Sequence, residues 1–365
     1  MPTRAVVHLV GHLNGAVFNF LGPATAALAE AGLDQFVVLI DDPRGAELKP
    51  HFHRQVRWVE TACPRNPLQR WRMLATAFRD VVSREPLHAI HLHGLGPLLW
   101  GGSIARMAAG GTVPVYFSPH TAPALLPRAA FDALIGPLLK GILATERQRT
   151  IVNMLEEAHA LHRSTHEPMH VVEGTVPPVF FATRRNEARH PLIVTGSRDD
   201  DPRSVGLFAQ LAVLLSGNEL RVSFNWIGRL GPASVARLKA ANVGYFEATD
   251  DAEIASRLAC GWLYLAPRNG PPGFPALLAG AMALGLPCAV IASPEHGDLI
   301  RDGETGVLCR NDNEVMRCIG RLIDDPQLRQ LIGQAAKHEA ERRFSPGRFR
   351  DSLFSAYELD WQPGS

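Results

Sequence analysis

The chain is predicted to be an α/β protein of two Rossmann-like domains whose parallel sheets face a central cleft, and three observations predict it. Short apolar runs of strand length alternate with amphipathic stretches of helix length almost from the first residue, the pattern of a parallel sheet with helices on both faces. The alternation starts afresh after the polar stretch TRRNEARH at 183–190, which reads as a linker. A length of 365 residues is enough for two α/β cores of ordinary size.

In the first half, apolar and β-branched runs predict strands at 5–10, 36–40, 57–60, 89–92, 114–117, 143–144 and 170–172. Helices are expected between them at 20–31, 68–83, 98–109, 131–140 and 153–163. In the second half the strands fall at 191–195, 221–227, 243–247, 261–266 and 288–292, helices fill most intervals, and a helical tail covers 313–359.

Hydrophobic content of 46% and charged content of 20% are those of an ordinary globular protein. A formal net charge of +1 leaves no electrostatic footprint for nucleic acid. The five cysteines, Cys63, Cys260, Cys288, Cys309 and Cys318, are scattered and form no Cys-x-x-Cys pair, so they read as reduced thiols rather than a disulfide framework or zinc site. No run of about 18 apolar residues marks a membrane span. The first residues lead straight into a strand rather than a signal peptide, and a cytoplasmic location is expected.

Residues 261–308 carry the sharpest signal. An apolar run over 262–266 stops at Pro267, a Gly/Pro-rich loop follows over 270–273, and a small-residue helix over 274–284 closes at Gly285 and Pro287 before the strand at 288–292. A glycine loop thus sits at the carboxyl end of a strand, where open α/β sheets bind ligands. Gly273-Phe274 and Ala281-Met282-Ala283-Leu284-Gly285-Leu286-Pro287, the run Leu299-Ile300-Arg301-Asp302-Gly303-Glu304-Thr305-Gly306-Val307-Leu308, and Val171-Val172-Glu173-Gly174-Thr175-Val176 upstream all fit one pattern. Together they resemble the nucleotide-sugar-binding part of retaining glycosyltransferases of family 4, which have the two-domain GT-B architecture. That family places a glutamate before Gly-Phe-Gly and a second one eight positions later; here Pro272 and Gly280 stand at those places.

The resemblance implies an acceptor-binding domain at 1–175, a nucleotide-sugar-binding domain at 176–345 and a C-terminal helix or tail at 346–365 that crosses back to the first domain. It implies transfer of a sugar, with retention, from a nucleotide diphosphate sugar donor to a glycan or lipid-linked acceptor in bacterial surface polysaccharide biosynthesis, with no cofactor and no metal. With both glutamates replaced, a non-catalytic GT-B protein that partners or stabilises an active glycosyltransferase is the alternative. A sugar epimerase of similar fold would need acid/base carboxylates that cannot be assigned here.

Gly11-His12-Leu13-Asn14-Gly15-Ala16 follows the first strand and precedes a helix, where backbone N–H groups can approach a phosphate. Its spacing is not that of a dinucleotide fingerprint, and it reads equally as a tight turn. Because the family carries a Gly-Gly pair here, Gly15 and Ala16 become site candidates. Along 88–93, period-two geometry puts Ala89, His91 and His93 on one face and His88 on the edge or the opposite face. Two-residue steps along one strand do not converge three imidazoles on one ion, so no metal is assigned to them. His93, before Gly94-Leu95-Gly96, is expected to face the cleft as a polar substrate contact. Ser118-Pro119-His120-Thr121 is similar to the family's Thr-x-His-Gly ending, and His120 is expected to donate to a phosphate or sugar hydroxyl. His93 and His120 are the two catalytic candidates.

In the family an arginine just after the first strand of the second domain and a lysine five residues later clamp the donor's diphosphate. Arg198 and Arg203 have that spacing, with one residue inserted after Gly196 and arginine replacing lysine. Asp199, Asp200 and Asp201 between them are poorly spaced for a metal and read as the start of the helix near Pro202. The donor-binding candidates are therefore Arg198, Arg203, Gly273, Phe274, Gly15 and Gly280. Each lost charge-assisted hydrogen bond is worth roughly 1.5–3 kcal/mol, so the replaced glutamates weaken donor binding without abolishing transfer. Finally, residues 61–149 hold ten Lys/Arg against four Asp/Glu. Arg65, Arg70, Arg72 and Arg79 with Trp71 and Phe78 read either as a peripheral contact with the inner face of an anionic membrane or as a solvated helix face.

Overall fold

All paired strands among the described residues run parallel, in two separate sheets. The computed structural model describes residues 4–120, 148–165, 169–198, 200–216, 222–266 and 273–359. Contacts divide the chain into unit 1, Met1–Gly174 with Pro272–Phe274 and Phe349–Ser365, and unit 2, Thr175–Pro271 with Pro275–Arg348.

The sheet of unit 1 contains β1 (Ala5–Val10), β2 (Asp34–Ile40), β3 (Val56–Thr61), β4 (Leu87–His93), β5 (Val115–Ser118), β6 (Gln148–Val152) and β7 (Met169–Val171), in the order β3-β2-β1-β4-β5-β6-β7. Its helices are α1 (Gly15–Glu30), α2 (Pro43–Leu48), α3 (Pro67–Arg84), α4 (Leu95–Ala109) and α5 (Leu155–Thr165). Strands buried on both faces need apolar residues at successive positions, and β1 is buried throughout. On one face Leu9, Phe36, Leu92 and Phe117 meet Leu74 and Phe78 of α3 and Leu98 of α4. On the other, Val6, Ala89 and Tyr116 meet Phe20 of α1 together with Phe349, Leu353 and Tyr357 from the C-terminal segment.

Helix α3 shows how the sequence sets its own boundaries and burial. Asn66 caps it by accepting from Leu68 N at 2.9 Å, Pro67 occupies the first turn where no N–H is needed, and Leu74, Phe78 and Val82 recur every four residues on the buried side. That stripe corrects the expectation for Phe78, which is fully buried and cannot lie on a membrane.

Unit 2 contains β8 (Leu192–Ser197), β9 (Ser223–Gly228), β10 (Gly244–Phe246), β11 (Leu263–Ala266), β12 (Cys288–Ile291) and β13 (Val307–Cys309), in the order β10-β9-β8-β11-β12-β13. Its helices are α6 (Pro178–Ala182), α7 (Pro202–Ser216), α8 (Pro232–Ala240), α9 (Asp251–Leu258), α10 (Ala276–Ala283), α11 (Pro294–Leu299), α12 (Asp312–Asp324) and α13 (Pro326–Phe344). A last helix, α14 (Pro346–Ala356), delivers residues from Phe349 onward to unit 1.

The predicted tail is three helices rather than one, because Pro326 and Pro346 each open a new helix; Asp325 caps α13 through Leu328 N at 2.9 Å. Strands β6 and β13 were not predicted, since one opens with three polar residues and the other is three residues long. The expected helix at 131–140 and strand at 143–144 lie outside the described residues. The stretch 183–190 is not a linker. Asn186 N and Ala188 N donate to Ala259 O and Cys260 O at 3.1 and 3.0 Å, Arg185 donates to Gly261 O at 2.6 Å, and Trp262 donates to Ala188 O at 2.7 Å, all within unit 2. Among the described residues, no helix is long and apolar enough to cross a membrane.

Close backbone packing in unit 2 gives a paired prediction. A Cβ at Gly333 of α13 would press on the carbonyl oxygen of Gly285, which backbone cannot easily yield, whereas a Cβ at Gly320 of α12 would meet nothing. Gly333→Ala should therefore destabilise by about 1–3 kcal/mol. Gly320→Ala should be neutral or stabilising by up to about 1 kcal/mol. Urea unfolding of both variants reads the difference.

Candidate functional site

A buried polar cluster runs across one face of the unit 1 sheet, from Gln35 near the start of β2 to His120 just past the carboxyl end of β5. Parallel register sets His8 of β1 beside His91 of β4 and His93 beside Ser118 of β5. Four imidazoles then interlock. His8 Nε2 bonds Gln35 Oε1 at 3.1 Å, His8 Nδ1 bonds His93 Nε2 at 3.1 Å, and His93 Nδ1 bonds His120 Nε2 at 3.0 Å. His91 bonds Tyr357 Oη at 2.6 Å through Nδ1 and Ser118 Oγ at 2.9 Å through Nε2. Burial pushes His8 down to about 4 and His120 to about 3, and it holds His91 and His93 well below the ordinary imidazole value, with the neighbouring imidazoles adding to the effect.

This arrangement corrects the expectation for His93. It is 2% exposed and both its nitrogens are bonded within the cluster, so it has none to offer a substrate. Its side chain shares the sheet face of His91, and that face is covered by Phe20 and the C-terminal segment. The nitrogens of His8, His91 and His93 come within 4.8 Å of one another, a grouping that could hold a metal ion. The third member is His8 from the neighbouring strand, not His88, and each nitrogen of the three already has a hydrogen-bond partner.

His120 ends the chain of imidazoles. It adopts φ of 54°, the left-handed region that non-glycine residues seldom occupy, and its Nδ1 is buried with no partner among the described residues. Two further side-chain oxygens at this edge, Asn153 Oδ1 and Glu157 Oε1 just beyond β6, are also buried without partners among the described residues. Burial pushes the Glu157 carboxyl up to about 8, against the opposing bond that its Oε2 accepts from Asn153 N at 3.2 Å. Gly15 opens α1, where helix geometry leaves the first N–H groups without intrahelical acceptors, while Asn14 Oδ1 accepts from Val17 N at 3.0 Å. Gly273, with φ of 110°, lies so that a Cβ there would be 3.5 Å from that of Ala16, so unit 1 brings Gly273 to the start of α1. The Phe274 ring packs on Gly174, where no Cβ would fit.

In unit 2, Arg198 follows β8 and pairs with Asp251 of α9, while its Nε is buried without a partner among the described residues. Arg203 is exposed on the first turn of α7, its backbone N–H donating to Asp201 Oδ1 at 3.1 Å. Asp201 also accepts from Ser204 Oγ at 2.5 Å, so it caps α7 as its place in the sequence suggests. Asp200 accepts from Gly231 N at 3.0 Å and Ser234 Oγ at 2.7 Å, fastening the start of α8 instead. Asp199 lies outside the described residues, as does Pro272. Gly280 is buried in α10, and a Cβ there would lie 2.8 Å from the Phe180 ring of α6. An aromatic ring thus fills the room that a side chain at Gly280 would need.

Sequence reasoning missed His8, Gln35, Asn153, Glu157 and Asp251. The signal for His8 was readable: a lone polar residue inside an apolar strand, AVVHLV, has to find a buried partner. Asp251 carried no such mark, since it looks like any acidic residue in a helix's first turn.

Residues 189–325 match the family model described as glycosyl transferases group 1. No curated protein matches the chain by sequence. Among solved structures, a glycosyltransferase from Rickettsia africae ESF-5 aligns over 98% of both chains with 14% identity and a TM-score of 0.77. Sucrose-phosphate synthase from Thermosynechococcus elongatus aligns over 97% of this chain and 98% of its own, with 16% identity and a TM-score of 0.73. HepE from Anabaena, solved with UDP and glucose, aligns over 97% and 99%, with 15% identity and a TM-score of 0.72. The fold is thus the GT-B fold, two Rossmann-like α/β domains with parallel sheets.

Two predictions come from these residues. The unfolded chain protonates its histidines below about pH 6.5 whereas the folded cluster resists, so stability is complete above that pH and falls as pH drops towards 4. The slope is up to about 1.4 kcal/mol per pH unit for each buried imidazole. Glu157 acts oppositely, weakening the fold as pH rises from 4.5 to 8, but one carboxyl does not cancel four imidazoles. Urea unfolding at pH 7, 6 and 5 should show the steep acid loss, and a flat profile would disprove burial of neutral imidazoles. Separately, Gly280→Glu should cost about 3 kcal/mol or more through overpacking and carboxylate burial. Adding Phe180→Ala should recover part of that loss in the melting temperature.

Proposed function

We propose that the protein is a retaining GT-B glycosyltransferase of family 4, moving a sugar from a nucleoside diphosphate sugar to a glycan or lipid-linked acceptor in bacterial surface polysaccharide biosynthesis. The observation that carries this reading is Arg198, placed just beyond β8 in the segment that matches the glycosyltransferase model. An arginine there suits a diphosphate, since its planar fork binds phosphate oxygens in pairs. The α7 N-terminus with Arg203 adds positive potential at the same edge. The resemblance adds Gly273, Phe274 and Gly15 as further donor-binding positions. The leaving phosphate itself serves as base, so no metal or cofactor is called for. HepE was solved with UDP-glucose, which makes that the first donor to try.

Acceptor access is proposed at unit 1 from the cytoplasmic side of the membrane. Leu68, Leu99, Trp100 and Met107 are exposed on α3 and α4, beside exposed Arg72, Arg79 and Arg106. Exposed apolar side chains and arginines on the same two helices favour an anionic lipid surface.

A second reading, a non-catalytic subunit that steadies an active transferase, is favoured by two observations. Asp251 neutralises Arg198, and Phe180 fills the space of the second glutamate. Thermal shift of the full chain with UDP-, GDP- and ADP-glucose separates the readings. At a hundred times Kd a true donor stabilises by about 2.7 kcal/mol. The stabilisation should vanish in Arg198→Ala. It should grow in Asp251→Asn, where affinity is expected to rise about tenfold because the competing carboxylate is gone. No shift with any nucleotide sugar, in either the parent or Asp251→Asn, would leave the subunit reading.

A further inference from the structure

The hydrogen bonds around the histidines have a definite direction. Gln35 Nε2 donates to the Leu33 carbonyl at 3.2 Å, which fixes the amide so that Oε1 faces His8. A carboxamide oxygen only accepts, so His8 carries its proton on Nε2. A neutral imidazole has one N–H and one lone pair. His8 Nδ1 must then accept, and the 3.1 Å bond to His93 Nε2 places the His93 proton on that nitrogen. By the same step His93 Nδ1 accepts from His120 Nε2 at 3.0 Å. His120 is left with its proton committed inward and a lone pair on Nδ1, the nitrogen with no partner among the described residues.

We propose that Gln35, His8 and His93 are positioning residues that set the tautomer of His120 and so present its Nδ1 lone pair as the acceptor for a hydroxyl of the sugar ligand. The identity of that ligand rests on the glycosyltransferase reading; the relay does not. Three observations converge on it. All four side chains are almost wholly buried, which keeps the tautomers from averaging through water. His120 sits just past the carboxyl end of β5, on the sheet edge where ligands bind in open α/β folds. Its left-handed backbone, with φ of 54°, is local strain of the kind that persists where the aim of a side chain matters. The relay also reverses the sequence expectation for His120: its N–H is spent on His93, so towards a ligand it accepts rather than donates.

The test uses the full chain with ¹⁵N-labelled histidine, whose long-range ¹H–¹⁵N spectra tell a protonated ring nitrogen from one with a free lone pair. His8, His93 and His120 should each carry the proton on Nε2. Gln35→Leu removes the anchor and should leave His120 as a mixture of tautomers. UDP-glucose affinity should fall about three- to tenfold in Gln35→Leu, the worth of one neutral hydrogen bond. A parent spectrum with the His120 proton on Nδ1 would overturn the proposal even if Gln35→Leu fails to fold. So would a folded Gln35→Leu with an unchanged tautomer, with unchanged affinity, or a parent in which equimolar zinc replaces the hydrogen bonds. The predicted tautomers in a parent that binds no nucleotide sugar would uphold the relay and sink the glycosyltransferase reading instead.

Discussion

Parallel pairing governs where everything else in the molecule can sit. Two parallel neighbours cannot be joined by a tight turn, so the chain returns over a face of the sheet after every strand and each carboxyl end opens onto the same edge. In unit 1 that edge collects the ends of β1, β4, β5 and β6, and with them the α1 turn, His93, His120 and Asn153. In unit 2 it collects Ser197, Gly228 and Ala266, with Arg198 directly after the first of them. Register then decides which side chains meet. His8 lies beside His91 because β1 and β4 pair that way, and slipping either strand by one residue would send one of the two to the opposite face.

A polar cluster at the heart of a sheet face is costly unless every group is bonded, and here the bonds are drawn from distant parts of the chain. Gln35 comes from β2, Ser118 from β5 and Tyr357 from the C-terminal segment. The last of these ties the end of the chain to the first domain's core, since Tyr357 also stacks on Tyr116 with ring centres 4.4 Å apart. The C-terminal segment therefore does more than cover an apolar face: it completes the partners of His91, which would otherwise bury an unsatisfied nitrogen at a cost of about 1–3 kcal/mol.

Most of the fold was legible because strands such as 5–10 and 288–292 are apolar on both faces and the helices carry their own caps and stripes. What escaped were elements with little local signal. Strand β6 begins Gln148-Arg149-Thr150, and β13 has three residues, so both exist by virtue of the neighbours they pair with. The site was legible in its edges and not in its partners. The positions of Arg198 and His120 follow from strand ends. That Arg198 would find Asp251, or that His93 would turn inward to His8, depends on pairs separated by 53 and 85 residues, which no local pattern encodes.

Gly280 shows how tightly the second unit is packed. Phe180 of α6 closes on it, and a Cβ there would lie within 2.8 Å of the ring. The contact between α6 and α10 therefore requires glycine at this position, and a longer side chain could be admitted only by moving the ring. Arg198 is likewise held by a neighbour, since a carboxylate from α9 balances its charge. A ligand entering this edge must displace Asp251 before it gains the arginine, so its binding free energy is the difference between two ion pairs rather than the worth of one. Breaking that pair without replacing it would leave a partly buried charge uncompensated, which is why the two residues hold each other in place.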